Sequence, residues 1–274
     1  MTDPGLVTVI LVFAGLLGLV IGSFLNVVIY RVPAGVPLTR ESRCPTCDDP
    51  VKPWQNVPVV SWLVLRGKCA NCKAPISARY PLVELATGAA FVLVTWFVLV
   101  NSTLPVLATT VVIVAYLYFA AISIVLTLID LDTHRLPNTI VLPSYLVVGI
   151  LFTLACVLGA PWDALLRAAS GGLILYAFYL VLRLIRPGGM GGGDVKLAGV
   201  IGVYLGWLGW GAFVVGAFAA FVLGGVFGIV LLLGRRAGRK TAIPFGPWML
   251  AGAWTGIFGG RAIADWYIGL FAVA

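Results

Sequence analysis

Long apolar stretches separated by short polar segments run along almost the whole chain, and one longer polar segment, residues 31–79, interrupts them near the start. A membrane-spanning helix needs about 20 predominantly apolar residues, and most of the stretches reach that length. The run at 195–210 is the shortest and could pair with the next run as a hairpin. The pattern predicts an all-α polytopic membrane protein with about eight transmembrane helices, at residues 5–29, 81–100, 104–129, 139–158, 164–184, 195–210, 212–233 and 244–260.

The composition agrees with this interpretation. Of 274 residues, 61% are hydrophobic and 10% are charged, and the mean hydropathy is +1.07. Soluble domains carry about 25% charged residues, because their surfaces need polar coverage. A soluble enzyme, a disordered chain and a collagen-like repeat are therefore excluded.

The distribution of basic residues predicts how the chain is oriented. When the eight runs are threaded through a bilayer, all but two of the 18 Lys and Arg residues fall on one side of it. The two on the opposite side are Arg167 and Arg261. By the positive-inside rule, the basic side is cytoplasmic and both termini lie outside. The net charge of +8 thus reflects loop orientation, and no nucleic-acid partner is expected. The predicted cytoplasmic segments, with the adjoining helix ends, are 31–79, 130–138, 186–196 and 234–243.

Two Cys-x-x-Cys pairs lie in the first polar segment, with 21 residues between them. Such pairs are typical of a structural zinc site with four thiolate ligands, here Cys44, Cys47, Cys69 and Cys72. Two disulfides or redox-active thiols are the alternative, which a reducing compartment disfavours. Cys156 lies alone in an apolar run and is interpreted as a core residue. With His134 as the single histidine, a three-histidine zinc site is excluded.

Four carboxylates lie in or beside the apolar runs, where ionisable groups are costly and therefore candidates for function. Glu84 follows the start of the second run, and Asp130 and Asp132 close the third. Asp194 follows five glycines in residues 188–193. Asp194 and one of the earlier pair could meet across a water-filled cleft and share a proton. Such a pair can activate water and protonate a leaving amine.

Each of these residues also has a structural interpretation. Asp130 or Asp132 could cap a helix end, and Glu84 could be a buried hydrogen-bond partner. Asp194 could be the N-cap of the sixth run, with Lys196 extending to the membrane interface. The glycines could form only a flexible connection. From spacing alone, an acidic pair that translocates ions rivals a catalytic pair.

Five segments taken in chain order carry a family resemblance: 22–31 (GSFLNVVIYR), the two cysteine pairs, 79–88 (RYPLVELATG), 130–138 (DLDTHRLPN) and 190–197 (MGGGDVKL). They resemble the type IV prepilin peptidases, membrane aspartic proteases of the GxGD class. The resemblance implies that Asp194 is the aspartate of the Gly-x-Gly-Asp motif. It places the other catalytic aspartate at Asp130, six residues before the Leu-Pro-Asn element, with Asp132 as the alternative. Asp132, Glu84 and Lys196 are expected to support the site.

The resemblance also implies an activity, cofactors and partners. Family members cleave the basic leader of prepilins and pseudopilins after a glycine, at the cytoplasmic face of the bacterial inner membrane. Longer members with the cysteine loop also methylate the new N-terminus with S-adenosylmethionine. We therefore expect Zn2+ and S-adenosylmethionine as cofactors, and prepilins and membrane lipid as partners. The methyl-donor site, the pilus or secretion system and the oligomeric state stay open. The expected organisation is a first helix (1–30), a cytoplasmic zinc loop (31–79) and a seven-helix peptidase core (80–274).

Two rival functions make different predictions. An ion-coupled transporter would use Asp130, Asp132 and Asp194 as a relay, preferably near the bilayer midplane. A redox or zinc sensor built on the cysteine loop would tolerate replacement of all three aspartates.

Overall fold

The computed structural model describes residues 3–186, 189–234 and 244–272, with the backbone alone for residues 271 and 272. Gly188 of the glycine run and most of the predicted basic loop at 234–243 lie outside the described residues. Within these ranges the chain is α-helical, with one 3-10 turn (Pro53–Asn56), two isolated β-bridges and no strand. The helices are α1 (Pro4–Ala34), α2 (Val60–Val64), α3 (Arg79–Asn101), α4 (Val106–Thr133), α5 (Asn138–Val157), α6 (Trp162–Ile185), α7 (Gly192–Leu208), α8 (Trp210–Leu233) and α9 (Gly246–Ala272).

Each of the eight apolar runs forms a helix, so the predicted all-α polytopic membrane class is confirmed. Six helices in the described residues are long and apolar enough to cross a membrane: α1, α3, α4, α5, α6 and α8. Helix α7 has 17 residues, which is about 26 Å at 1.5 Å per residue and short for a hydrocarbon core of about 30 Å. The count of eight spans therefore stays a prediction.

The chain divides into two compact units. The first comprises Met1–Ser102 and Tyr116–Val125. Its most extensive helix–helix contact joins α1 to α3. Small residues allow the two backbones to approach closely: a Cβ at Gly22 would lie 2.7 Å from the Cα of Glu84. Small residues at helix contacts are typical of membrane proteins, where packing rather than the hydrophobic effect holds helices together.

The second unit comprises Thr103–Ala115 and Leu126–Ala274, and α7 lies at its centre. Helix α7 contacts α5, α6, α8 and α9. The ring of Trp207 stacks on Phe152 of α5 at a centroid distance of 4.1 Å. The buried Tyr204 hydroxyl donates to the Ala115 carbonyl. Because α7 is enclosed by other helices, it can be shorter than a lipid-exposed span, and Asp194 in its first turn is half-buried.

Candidate functional sites

Four cysteine sulfurs meet in one cluster in the first unit, as the sequence predicts. The ligand atoms of Cys44, Cys47, Cys69 and Cys72 all lie within 4.8 Å of one another. The Cys44 and Cys72 sulfurs are 3.8 Å apart. A tetrahedral ion with Zn–S bonds of about 2.3 Å separates its ligands by about 3.8 Å. The cluster therefore has the dimensions and the donor set of a four-thiolate metal site.

The two cysteine turns repeat the same backbone structure 25 positions apart. The Cys44 N–H donates to the Asp49 carbonyl at 2.9 Å, and the Cys69 N–H donates to the Ala74 carbonyl at 2.8 Å. The residue after each second cysteine is left-handed, with φ of 54° at Asp48 and 61° at Lys73. This turn is shared by two segments, 43–50 (RCPTCDDP) and 68–75 (KCANCKAP). The spacing of the cysteines predicts the metal ligands. Sequence reasoning missed the internal repeat, although both segments begin with a basic residue and end with proline.

Backbone geometry also favours the ionised form of one thiol. The backbone N–H groups of Cys47 and Thr46 lower the pKa of the Cys44 thiol to about 6. Metal ions bind the thiolate, so the lowered pKa of Cys44 favours binding of a cation by this sulfur.

Glu84 belongs to the first unit and holds the cysteine loop to α3. Its side chain is buried, and its Oε2 atom accepts a hydrogen bond of 2.7 Å from the Val59 backbone N–H. Val59 has φ of 61° and ψ of −50°, a costly conformation for a β-branched residue. Glu84 thus compensates for strain at the turn that begins α2, which agrees with its structural interpretation.

Asp130 lies in the last turn of α4 and is buried, with 4% of its surface exposed. Its Oδ2 atom accepts a hydrogen bond of 3.1 Å from the Gly246 N–H. Gly246 is the first residue of α9, so an otherwise unpaired helix N–H meets a carboxylate there. His134, left-handed with φ of 53°, ends α4 and donates its backbone N–H to the Asp130 carbonyl.

Asp132 faces a different way. Two residues along an α-helix rotate the side chain by about 200°, and Asp132 is exposed whereas Asp130 is buried. Only one of the two carboxylates can therefore point into the second unit.

Asp194 is the third residue of α7, and its carboxylate accepts a 2.9 Å hydrogen bond from the Gly191 N–H. Gly191 is the N-cap of α7, so the alternative that Asp194 is itself the N-cap is wrong. The glycines before it leave space for neighbouring groups. A Cβ at Gly193 would lie 2.8 Å from the Leu136 Cβ, and a Cβ at Gly192 would lie 2.7 Å from the Arg183 guanidinium.

The second unit brings the two candidate aspartates into one neighbourhood. The Asp130 and Asp194 carboxylates are close enough to interact electrostatically. Leu136 packs against both backbone segments that flank them: its side chain would meet a Cβ at Gly193 at 2.8 Å and one at Gly246 at 3.3 Å. Two carboxylates that share one site can divide the roles of base and acid between them, so this arrangement keeps the predicted dyad open.

Lys196 lies one turn into α7 and tethers it to α5. Its Nζ atom donates to the Asn138 side-chain oxygen at 2.9 Å, and the Tyr145 hydroxyl donates to the Lys196 carbonyl at 2.5 Å. Asn138 begins α5, directly after the turn that follows Asp130. Lys196 therefore connects the helix start that carries Asp194 to the segment that carries Asp130.

Sequence reasoning missed the contribution of α9 and of the aromatic residues beside it. Phe245 lies directly before the first residue of this helix, Gly246, and the Phe245 ring lies 6.3 Å from Tyr179 and 5.5 Å from Phe221. Tyr179 is buried and lies within electrostatic range of Asp194. The sequence signal for this contribution is the segment 244–247 (PFGP) after a polar loop. It indicates where a helix starts but not which residue the helix start contacts.

The fold and these two clusters define a multi-pass helical membrane protein with a four-cysteine site and a pair of carboxylates at helix ends. Comparison with known families agrees with this class. A model of the Bacterial Peptidase A24 N-terminal domain matches residues 16–98, and a model of the Type IV leader peptidase family matches residues 117–229.

Curated relatives match almost the whole chain. A prepilin leader peptidase/N-methyltransferase of Aeromonas hydrophila is 38% identical, over 92% of this chain and 92% of its own length. Proteins of the same name are 38% identical in Neisseria gonorrhoeae (88% and 87% covered) and 33% identical in Pseudomonas aeruginosa (92% and 91% covered). No solved structure matches the chain significantly. The chain therefore belongs to the type IV leader peptidase family, which confirms the resemblance.

Proposed function

We propose that this protein is a prepilin peptidase that removes the leader of type IV prepilins or pseudopilins and methylates the new N-terminus. Family membership over nearly the whole chain carries the proposal. The named relatives are peptidase/N-methyltransferases, and the matched N-terminal domain, residues 16–98, includes the four clustered cysteines of this chain.

Asp130 and Asp194 are the proposed catalytic dyad. The ionised carboxylate takes a proton from water as the water oxygen attacks the scissile carbonyl. The protonated carboxylate then donates its proton to the leaving amine as the peptide bond breaks. Support comes from the burial of Asp130, its hydrogen bond from Gly246 and its electrostatic proximity to Asp194. Asp132 is exposed and is proposed to play no direct part.

The glycine run before Asp194 gives the substrate backbone a route to the dyad. Gly191, at the N-cap of α7, is exposed and carries no side chain, so an extended peptide can approach the Asp194 carboxylate from that side. Both aspartates lie at helix ends, in the last turn of α4 and the first turn of α7. Such positions suit a cleavage point at the membrane interface better than an ion relay at the bilayer midplane.

The proposed organisation follows the distribution of charge. The loop 31–79 binds Zn2+ through its four cysteines, and residues 80–274 form the peptidase core with seven transmembrane helices. Both the loop and the dyad lie on the cytoplasmic side of the bacterial inner membrane, with both termini outside. The zinc has a structural role, because four thiolates leave it no open position. S-adenosylmethionine supplies the methyl group when bound, and we assign no described residue to it.

Processing of a prepilin by the purified, detergent-solubilised protein tests this proposal. The wild type should release a product shortened after glycine, and the mass of one methyl group should be added only with S-adenosylmethionine. Asp130→Asn and Asp194→Asn should each abolish cleavage, whereas the matched variant Asp132→Asn should cleave at nearly the wild-type rate. Cleavage by Asp194→Asn would refute the dyad. Failure of a well-folded wild type on several prepilins would refute the peptidase itself, and proton flux in liposomes would then test the transporter.

A further inference from the structure

Helix α2 presents an apolar face that the described part of the chain leaves uncovered. Val60, Leu63 and Val64 are spaced i, i+3 and i+4, so they share one side of the helix. They are 56%, 60% and 69% exposed. The other side is fixed to the cysteine loop, since Trp62 donates its Nε1–H to the Ile76 carbonyl at 3.1 Å. The exposed face is therefore held in one orientation.

The apolar surface continues into the segment before α2. Trp54, in the 3-10 turn, is 53% exposed and Val57 is 45% exposed. Tryptophan is enriched at membrane interfaces, where its ring contacts apolar chains and its N–H stays hydrated. We define the α2 surface as Trp54, Val57, Val60, Leu63 and Val64.

A hydrogen bond sets the level of this surface along α3. Glu84 accepts from the Val59 N–H, and Glu84 lies five residues after the start of α3, about 8 Å along the helix. On either side of Glu84, Leu82 and Leu85 are 62% and 49% exposed. Because α3 is apolar and long enough to span a membrane, these exposed leucines are available for contact with lipid. The start of α2 thus lies level with these exposed leucines of α3.

The charge around the α2 surface has one sign. Residues 50–83 contain no Asp or Glu. The basic residues of this stretch are Lys52, Arg66, Lys68, Lys73 and Arg79. An apolar helix face bordered by Lys and Arg is the pattern of segments that lie in the interface of anionic membranes.

We propose that the α2 surface lies in the headgroup–acyl boundary of the leaflet in which α3 begins, where Arg66 and Lys68, directly after α2, bind anionic phospholipid. The second cysteine turn starts at Lys68, a few residues after α2 ends, and Ile76 just beyond that turn holds Trp62. Insertion of α2 therefore keeps the cysteine cluster against the bilayer surface. The proposal concerns the lipid contact of the loop and does not depend on the peptidase activity.

Lipid quenching in proteoliposomes tests this contact on the full chain. A fluorescent amino acid is incorporated biosynthetically at Leu63, at Leu93 as a lipid-facing reference on α3, and at Lys73 as an exposed control on the second cysteine turn. The vesicles contain phosphatidylglycerol and phosphatidylcholine with brominated acyl chains. Quenching at position 63 should approach that at 93 and exceed that at 73 about threefold or more. Circular dichroism and gel filtration confirm that each labelled protein is folded.

Charge variants test the anionic lipid separately. Arg66→Glu with Lys68→Glu should lower quenching at position 63 and leave position 93 unchanged, and omitting phosphatidylglycerol should do the same. Quenching at 63 no stronger than at 73 would overturn the proposal. If, in addition, a purified prepilin shifted the emission at 63, the α2 surface would be a docking site for substrate. Quenching at 63 unaffected by charge reversal would overturn the part of the proposal that concerns anionic lipid.

Discussion

The backbone N–H of Gly246 donates a hydrogen bond to the Asp130 carboxylate across 116 residues of sequence. This hydrogen bond joins the first residue of α9 to the last turn of α4. A carboxylate at a helix N-terminus is stabilised by the helix dipole and by unpaired N–H groups. The bond therefore orients Asp130 from an element that carries no recognisable catalytic motif.

Gly246→Ala should impair cleavage by displacing Asp130. An added Cβ would lie 2.6 Å from Asp130 Oδ2 and 3.3 Å from Leu136 Cδ2, so the carboxylate must move. Misplacement of a catalytic group acts on the chemical step, so we expect kcat to fall by roughly tenfold or more, with little change in KM. Gly149→Ala is the matched control, because a Cβ there meets no atom within 4 Å. Steady-state kinetics with wild-type kcat in Gly246→Ala would contradict this role.

Lys196→Met should lower the cleavage rate modestly by loosening the start of α7 from α5. The pair with Asn138 is exposed, and exposed polar pairs contribute about 0.2–1 kcal/mol. We therefore expect a loss of at most about fivefold, partly restored by Lys196→Arg. The double variant with Asn138→Ala should be no worse than either single variant, because both remove the same contact. Additive losses in this double-mutant cycle would show that Lys196 acts through another partner.

Glu84→Ala should release the turn that begins α2, whereas Glu84→Gln should largely preserve it. The amide oxygen of glutamine can still accept from the Val59 N–H, while alanine leaves that donor unpaired at a cost of about 1–3 kcal/mol. Hydrogen exchange at the amides of residues 57–64 should become faster in the alanine variant.

Val59→Gly provides the matching control for this turn. Glycine adopts φ of 61° without the steric cost of valine, so this variant should keep or increase protection in the same segment. Unchanged exchange in Glu84→Ala would show that the carboxylate does not hold the turn.

Cys44→Ser or Cys69→Ser should release the metal from the purified protein. We expect about one zinc ion per wild-type chain and a large loss in either variant, since each removes one of four ligands. Cys156→Ser is the control, because Cys156 is buried in α5 and is not part of the cluster. Elemental analysis of each purified protein measures its zinc content. Zinc retained at the wild-type level after the Cys44 and Cys69 substitutions would refute the assignment of these cysteines as zinc ligands.

Hydropathy predicted the helices closely because a membrane span must be apolar over its own length, which is a local property. The last span shows the limit of this signal. The run predicted at 244–260 continues as α9 to Ala272, although Arg261 and Asp265 lower its hydropathy. These two residues are spaced i, i+4, and their charged groups lie 3.8 Å apart, as the helical geometry of this segment requires.

The four-cysteine cluster could also be predicted, because two short turns each supply a pair of sulfurs and one ion accommodates both. The choice between Asp130 and Asp132 could not be made from spacing, since they are two residues apart in the same helix. The fold separates them by burial, and the catalytic role of Asp130 stays a prediction.

The sequence by itself determined the membrane class, the family motifs and the cysteine ligands, since each is written in local composition or spacing. Only the tertiary structure decided that Gly246 holds Asp130, that Leu136 packs on both glycine segments and that Glu84 supports Val59. These contacts join residues distant in sequence, and glycines at residues 193 and 246 leave the space that Leu136 and Asp130 occupy. No local pattern specifies which residues come together.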